Sequence, residues 1–213
     1  KAWTGYSLNY STLDNTKRPT EGLYATFNQQ YIGWDYNLLK TEAKARYFMP
    51  LMSDWNVIGS IKAQAGYIAA LDGGGVSPLE AFRSAGSIVR GFQSGGMGPR
   101  LSSSNEILGY TAYVAASAEI EFPIPILPET YGVRGAIWAD AALIDGNGST
   151  NSVPNLGNPV SPGSIDDNFK SSVGASLIWD SPFGPLRGDF AYVLNKATDD
   201  KTQVFSLTLQ QLL

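Results

Sequence analysis

Neither cysteine nor histidine occurs among the 213 residues. Without thiols there can be no disulfides, no cysteine nucleophile and none of the usual zinc clusters. Without imidazole, the Ser-His-Asp and Cys-His arrangements and the commonest general base are gone. Charged residues are scarce at 16%, and the net charge of −4 comes with no basic stripe that could neutralise phosphates. Nucleic acid is therefore not an expected partner. No apolar run reaches the roughly 18 residues of a membrane-spanning helix. The opening Lys1-Ala2-Trp3 carries no signal peptide and reads as a trimmed or internal start, so it leaves the compartment open. Together these absences point away from an enzyme and predict no cofactor and no metal.

What is present is glycine, at 23 residues, aromatics at 12%, and a period-two alternation of apolar and polar side chains along most of the chain. Leu39, Thr41, Ala43, Ala45, Tyr47, Met49 and Leu51 fall on one face, with Lys40, Glu42, Lys44 and Arg46 on the other. Val57, Ile61, Ala63, Ala65 and Tyr67 oppose Asn56, Ser60, Lys62 and Gln64. Tyr110, Val114, Ile120 and Phe122 oppose Thr111, Ser117, Glu119 and Glu121, and Val133, Ile137, Ala141 and Leu143 oppose Arg134, Trp138 and Asp140. The pattern predicts one all-β domain over 1–213 with about nine antiparallel strands. They fall at 4–13, 23–32, 38–51, 56–70, 109–122, 131–143, 169–180, 186–194 and 204–213. Most have the roughly nine to eleven residues a tilted strand needs to cross a bilayer.

Alternation alone fits a soluble barrel as well as a transmembrane one. Two features favour the membrane. Tyr31, Tyr47, Trp55, Tyr67, Tyr131 and Trp179 sit near strand ends on the apolar face, where interfacial girdles belong. The connections also differ in kind: 14–22, 50–55, 123–130 and 181–185 are short, whereas 71–108 and 144–168 are long. Short turns at one rim and long loops at the other are the outer-membrane pattern, with the short set periplasmic. Ala63, Ala65, Ala116 and Ala118 make the outward face only mildly apolar.

Several strings invite a chemical reading. Gly73-Gly74-Gly75 lacks the Gly-Lys-Ser/Thr ending of a phosphate loop and reads as a flexible stretch. Asp145-Gly146-Asn147-Gly148-Ser149 loosely resembles a calcium loop but has no Glu at the twelfth position, so a turn is the better reading. Glu119, Glu121 and Asp140 could suggest glycosidase-type acid/base work, but a polar lumen is ordinarily charged, with ion pairs to Arg134, Lys170 or a loop Arg. The 71–108 connection is too long for a simple hairpin, and it carries such an arginine, Arg90.

Ser87-Ile88-Val89-Arg90-Gly91-Phe92-Gln93-Ser94, followed by Gly98-Pro99-Arg100, resembles the signature of the BamA family of outer-membrane β-barrel assembly (insertase) proteins. Other stretches are similar in order along the chain: Arg18-Pro19-Thr20-Glu21-Gly22 to a periplasmic turn, Glu121-Phe122-Pro123 and Trp138 to Asp140 to the strands after the signature. Ser181-Pro182-Phe183-Gly184-Pro185-Leu186 is similar to the turn before the last two strands. The resemblance spans essentially the whole chain. It implies the C-terminal part of a sixteen-stranded transmembrane barrel, with the periplasmic POTRA domains and about seven strands absent from these residues. Leu213 stands where the family usually ends on an aromatic residue.

The resemblance also implies a location and a mechanism. The signature loop folds back into the barrel of a bacterial outer membrane, and Arg90 meets Glu121 and Asp140 on the inner wall. A fork-shaped guanidinium suits that contact better than lysine. Unfolded β-barrel clients would pair at a weak seam by strand addition while the bilayer thins locally. Outer-membrane lipid and accessory assembly lipoproteins, the latter through the absent periplasmic domains, complete the expected partners. A two-partner secretion channel or other branch of the superfamily, and a passive porin, are the competing readings. The first and last strands would each expose unpaired backbone, so the isolated chain is expected to associate edge to edge as a dimer.

Overall fold

The computed structural model describes residues 2–34, 37–72, 76–83, 85–99, 107–146, 168–181 and 184–209. Nine strands follow one another: β1 (Ala2–Ser11), β2 (Gly22–Gly33), β3 (Leu38–Met52), β4 (Val57–Ala70), β5 (Ala112–Pro123), β6 (Val133–Asp145), β7 (Phe169–Ser181), β8 (Gly184–Asn195) and β9 (Phe205–Leu209). A single helical turn, α1 (Ala85–Ile88), lies in the β4–β5 connection. Each strand pairs antiparallel with the next, in the order β1-β2-β3-β4-β5-β6-β7-β8-β9. Among the described residues β1 and β9 do not pair with each other, so the sheet is open.

Strand positions agree with the alternation to within a few residues. The clearest departure is at the start of β5. Tyr110, expected on the outward face of a strand beginning at 109, is fully buried and bridges Phe82 instead. Gly109 has φ +80°, which turns the chain before the strand and breaks the phase on which that expectation rested. Gly73–Gly75, Arg100, Asn147–Ser149, most of the 144–168 connection, Pro182, Phe183 and residues 210–213 lie outside the described residues.

The sheet is apolar outside and polar inside. Ile61, Tyr67, Val114, Ile137, Leu143, Leu177, Phe190, Tyr192 and Leu207 point outward and are exposed. All six expected girdle aromatics are exposed as well. In water so large a contiguous apolar surface would be unfavourable at about 25 cal/mol per Å²; against hydrocarbon it is the stable arrangement. Ser60, Gln64, Ser117, Glu119, Arg134, Asp140, Ser176, Arg187 and Asp189 point inward and are buried.

The inner volume has two levels. Near the long-loop rim, Val76, Phe82, Ile88, Val89, Phe92 and Met97 of the β4–β5 connection pack on Ile32, Leu38, Ile68, Tyr113 and Ile144. Phe82 and Tyr110 stack there and Tyr113 meets both edge-on, with centroids 5.0–5.9 Å apart. Gly66 makes the room: a Cβ added to it would lie 2.3 Å from the Tyr113 ring. Deeper in the lumen the side chains are charged.

Candidate functional site

The descent of the β4–β5 connection into the sheet begins with α1 and ends at Gly91. Lys62 Nζ and Gln64 Nε2 donate to the Ser87 carbonyl at 3.3 and 3.1 Å, fixing the turn to β4. Val89 and Phe92 are buried in the apolar level, and Arg90 between them turns toward the charged level. Gly91 has φ +92°, and a Cβ there would come within 2.9 Å of Ala191 and 3.0 Å of Val193 on β8. Only glycine meets both demands.

Arg90 is held on every side. Its backbone N–H and Nε donate to Asp140 Oδ2 at 2.9 and 2.8 Å, and Nη2 donates to Oδ1 at 2.7 Å. Nη2 also donates to Ser117 Oγ at 3.0 Å, and Nη1 to Glu119 Oε2 at 2.6 Å. The guanidinium lies over the Trp138 ring, 3.8 Å from its centroid. Strand register explains the convergence: Ser117 is opposite Asp140 and Glu119 opposite Trp138, so two adjacent cross-strand pairs present three oxygen-bearing side chains and one ring to a single fork.

Glu119 is the hub. Besides Arg90 it accepts from Arg187 Nη1 and Nη2 at 2.9 and 2.7 Å and from Arg46 Nη2 at 3.3 Å. Arg187 Nε donates to Asp189 Oδ1 at 2.8 Å. Ser176 Oγ accepts from Arg187 Nη2 and Trp138 Nε1 at 2.7 and 2.8 Å and donates to Asp189 at 2.5 Å. Three guanidiniums thus face three carboxylates across β3, β5, β6 and β8. Charge burial of this kind is tolerable only when paired and hydrogen-bonded throughout. Glu119 and Asp140 each carry at least one arginine.

Glu121 is not a partner of Arg90. It pairs with Arg134 of β6 and lies 4.0 Å from Arg18 of the β1–β2 turn; Arg134 also reaches Asp180 at 3.0 Å. Glu121 faces inward like Glu119, but it stands two residues nearer the short-turn rim, about 7 Å along the strand. Glu119 occupies the level that Arg90 reaches. Lys170, expected to serve a lumen carboxylate, instead binds Asp200 at 2.6 Å.

The remaining signature residues are dispersed around this seat. Gln93 donates through its backbone to Lys201 O at 3.0 Å. Gly98 has φ +110°, and the Pro99 carbonyl accepts from Leu108 N–H at 2.8 Å. Arg46, Arg187 and Asp189 were not singled out by the sequence reading. The signal existed for all three: Arg46 falls on the polar face of β3, and Arg187 and Asp189 alternate with Leu186, Gly188 and Phe190 along β8.

The Omp85 superfamily domain matches residues 2–211. The chain is 30% identical over 202 residues to the outer membrane protein assembly factor BamA of Neorickettsia risticii, covering 93% of this chain and 25% of that protein. It is 26% identical over 228 residues to BamA of Neisseria meningitidis, covering 98% of this chain and 28% of that one. A SAM50-like protein of Schizosaccharomyces pombe is 27% identical over 202 residues, covering 92% of this chain and 40% of that protein. The fold is similar to the crystal structure of BamA from Haemophilus ducreyi lacking POTRA domains 1-3, with a TM-score of 0.78 at 24% identity, over 95% of this chain and 41% of that one. The chain therefore spans about a quarter of the length of the two BamA relatives.

Proposed function

Since the chain belongs to the Omp85 superfamily, we propose that its nine strands are the C-terminal part of an outer-membrane barrel that folds and inserts client β-barrel proteins. The observation that carries this reading is a buried ionic clamp beside a last strand with an open edge. Arg90 ties the plug loop to β5 and β6, and its partner Glu119 ties in β3 and β8. β9, by contrast, is an edge strand: among the described residues it pairs with β8 over Leu186 to Phe190, with a further bond from Ala191 N–H to Val204 O at 2.8 Å, and its other edge is unpaired. In hydrocarbon each unpaired backbone group costs several kcal/mol, so a client strand that pairs along such an edge lowers its own barrier to entry. The cycle breaks no covalent bond.

Unfolded outer-membrane β-barrels are the proposed clients. Accessory lipoproteins are assigned to periplasmic domains rather than to this sheet. The isolated chain, with two open edges, is proposed to pair with a second copy. The test of the insertase reading is client folding into vesicles that hold the protein, followed by protease protection of a urea-unfolded β-barrel. Faster folding than in protein-free vesicles supports it. Ion conductance without any acceleration overturns it in favour of a passive pore.

A further inference from the structure

The signature segment has a second dock, away from the lumen cluster. Its backbone pairs with the β8–β9 connection: Gln93 N–H to Lys201 O at 3.0 Å, Lys201 N–H to Gly96 O at 2.9 Å, and Gln203 N–H to Gly91 O at 2.9 Å. Phe92 and Thr202 form an antiparallel bridge, and Gln93 Nε2 adds a bond to Thr202 O at 3.3 Å. A Cβ on Gly96 would sit 2.4 Å from Lys201 O, so this approach is as close as two backbones allow. The connection itself is held by Asp200. Its Oδ2 accepts from Ala197 N–H at 2.8 Å and from Lys170 Nζ of β7 at 2.6 Å. The Lys170 and Asp200 side chains are only 1% and 2% exposed. β9 starts at Phe205, two residues beyond the last of these bonds.

A buried ion pair adds little net stability, but removing one partner strands a charge. Its effect here is geometric: it fixes the backbone on which residues 91–96 lie. We propose that Lys170 and Asp200 are positioning residues of the signature segment, holding the β8–β9 connection as its second dock. The seating of Arg90 and the pairing of β9 on β8 are then linked, and the linkage runs in both directions. This inference rests on geometry and does not depend on the insertase reading.

Amide hydrogen exchange on the folded chain tests it, together with the NMR signal of the Trp138 indole N–H, which reports the Arg90 stacked above it. Asp200→Asn keeps an acceptor for Ala197 N–H while deleting the charge, and Lys170→Met removes the partner. Each is expected to speed exchange at Gln93, Lys201, Gln203 and the β9 amides about tenfold, within the usual range for coupled sites. Each should also shift the Trp138 signal toward its position in Arg90→Lys. The double variant K170M/D200N, which strands no charge, should stay loosened at these amides because the positioning contact itself is gone; exchange restored to that of the parent overturns the proposal. Arg90→Lys should in turn loosen the Lys201 and Gln203 amides. Loosening confined to 197–203, with Gln93, β9 and Trp138 unmoved, overturns the proposal. Should the single variants not fold, unchanged exchange at Lys201 and Gln203 in Arg90→Lys overturns it equally.

Discussion

Arg90 and Arg187 share one oxygen: Glu119 Oε2 accepts from Arg90 Nη1 at 2.6 Å and from Arg187 Nη2 at 2.7 Å. A loop residue and a β8 residue are thus held together by a β5 carboxylate. Neutralising that carboxylate leaves Arg46, Arg90 and Arg187 around an amide. Glu119→Gln is expected to cost about 3–5 kcal/mol, as for other broken buried ion pairs. Glu121→Gln, nearer the rim and served by the partly exposed Arg18, should cost less. Urea unfolding midpoints of the two variants check this order.

Arg90→Lys keeps the charge but loses the fork that spans Asp140, Ser117 and Glu119. It is expected to fall between the parent chain and Arg90→Ala in the resistance of residues 85–99 to protease. Equal behaviour of lysine and arginine would show that charge alone seats the loop.

Trp138 fits under Arg90 because Gly174 faces it across the β6–β7 pair. A Cβ at Gly174 would lie 2.3 Å from the Trp138 ring and 2.2 Å from the Phe190 carbonyl. Gly174→Ala is expected to destabilise by about 1–3 kcal/mol, the usual range for overpacking. Shrinking the ring with Trp138→Phe should not rescue it, since the clash with backbone remains. Thermal unfolding of the single and double variants decides.

Asp14 in the β1–β2 turn accepts from Thr20 Oγ1 at 2.7 Å and from the backbone N–H groups of Thr20 and Glu21 at 2.9 and 3.1 Å. These bonds, the Thr20 hydroxyl first, hold its pKa down to about 2. In the unfolded chain the value is about 3.9. A lowered folded pKa means the turn's stabilisation is complete above about pH 4 and is lost as pH falls toward 2. NMR titration should place the Asp14 midpoint near 2, with the Thr20 and Glu21 amides losing protection over the same window. A midpoint near 4 would refute the role of these bonds.

The isolated chain is expected to be dimeric in detergent. Nine alternating strands leave β1 and β9 pointing the same way, so closing the ring on itself would pair them in parallel. Two chains joined edge to edge enclose more space and leave the plug loop inside. Light scattering giving a strictly monomeric mass would refute this.

Strand count and phase were legible in the sequence, because a two-residue period leaves each side chain only two faces to choose between. Choosing between Glu119 and Glu121 was not possible on phase, since both face inward. The depth reached by Arg90 decides it, and that depth is set by the Gly91 backbone and the packing of Val89 and Phe92. The misplacement of Tyr110 has the same origin: alternation carries no mark of where a strand begins, and Gly109, with φ +80°, turns the chain just before it. Lys170 with Asp200 was hidden for another reason. Its partner lies in a connection with no periodicity, and only tertiary contact brings the two together.

The separations within the lumen cluster set an order of events during folding. Arg90 is 29 positions from Glu119 and 50 from Asp140, while Glu119 is 73 from Arg46 and 68 from Arg187. Closing contacts so distant along the chain costs loop entropy that local hairpins do not. Until β8 arrives, Glu119 has yet to gain Arg187, and Arg187 and Asp189 are not yet in the ring. The cluster therefore completes late, when most of the wall is already in place, and refolding rates should respond weakly to its mutation while unfolding rates respond strongly.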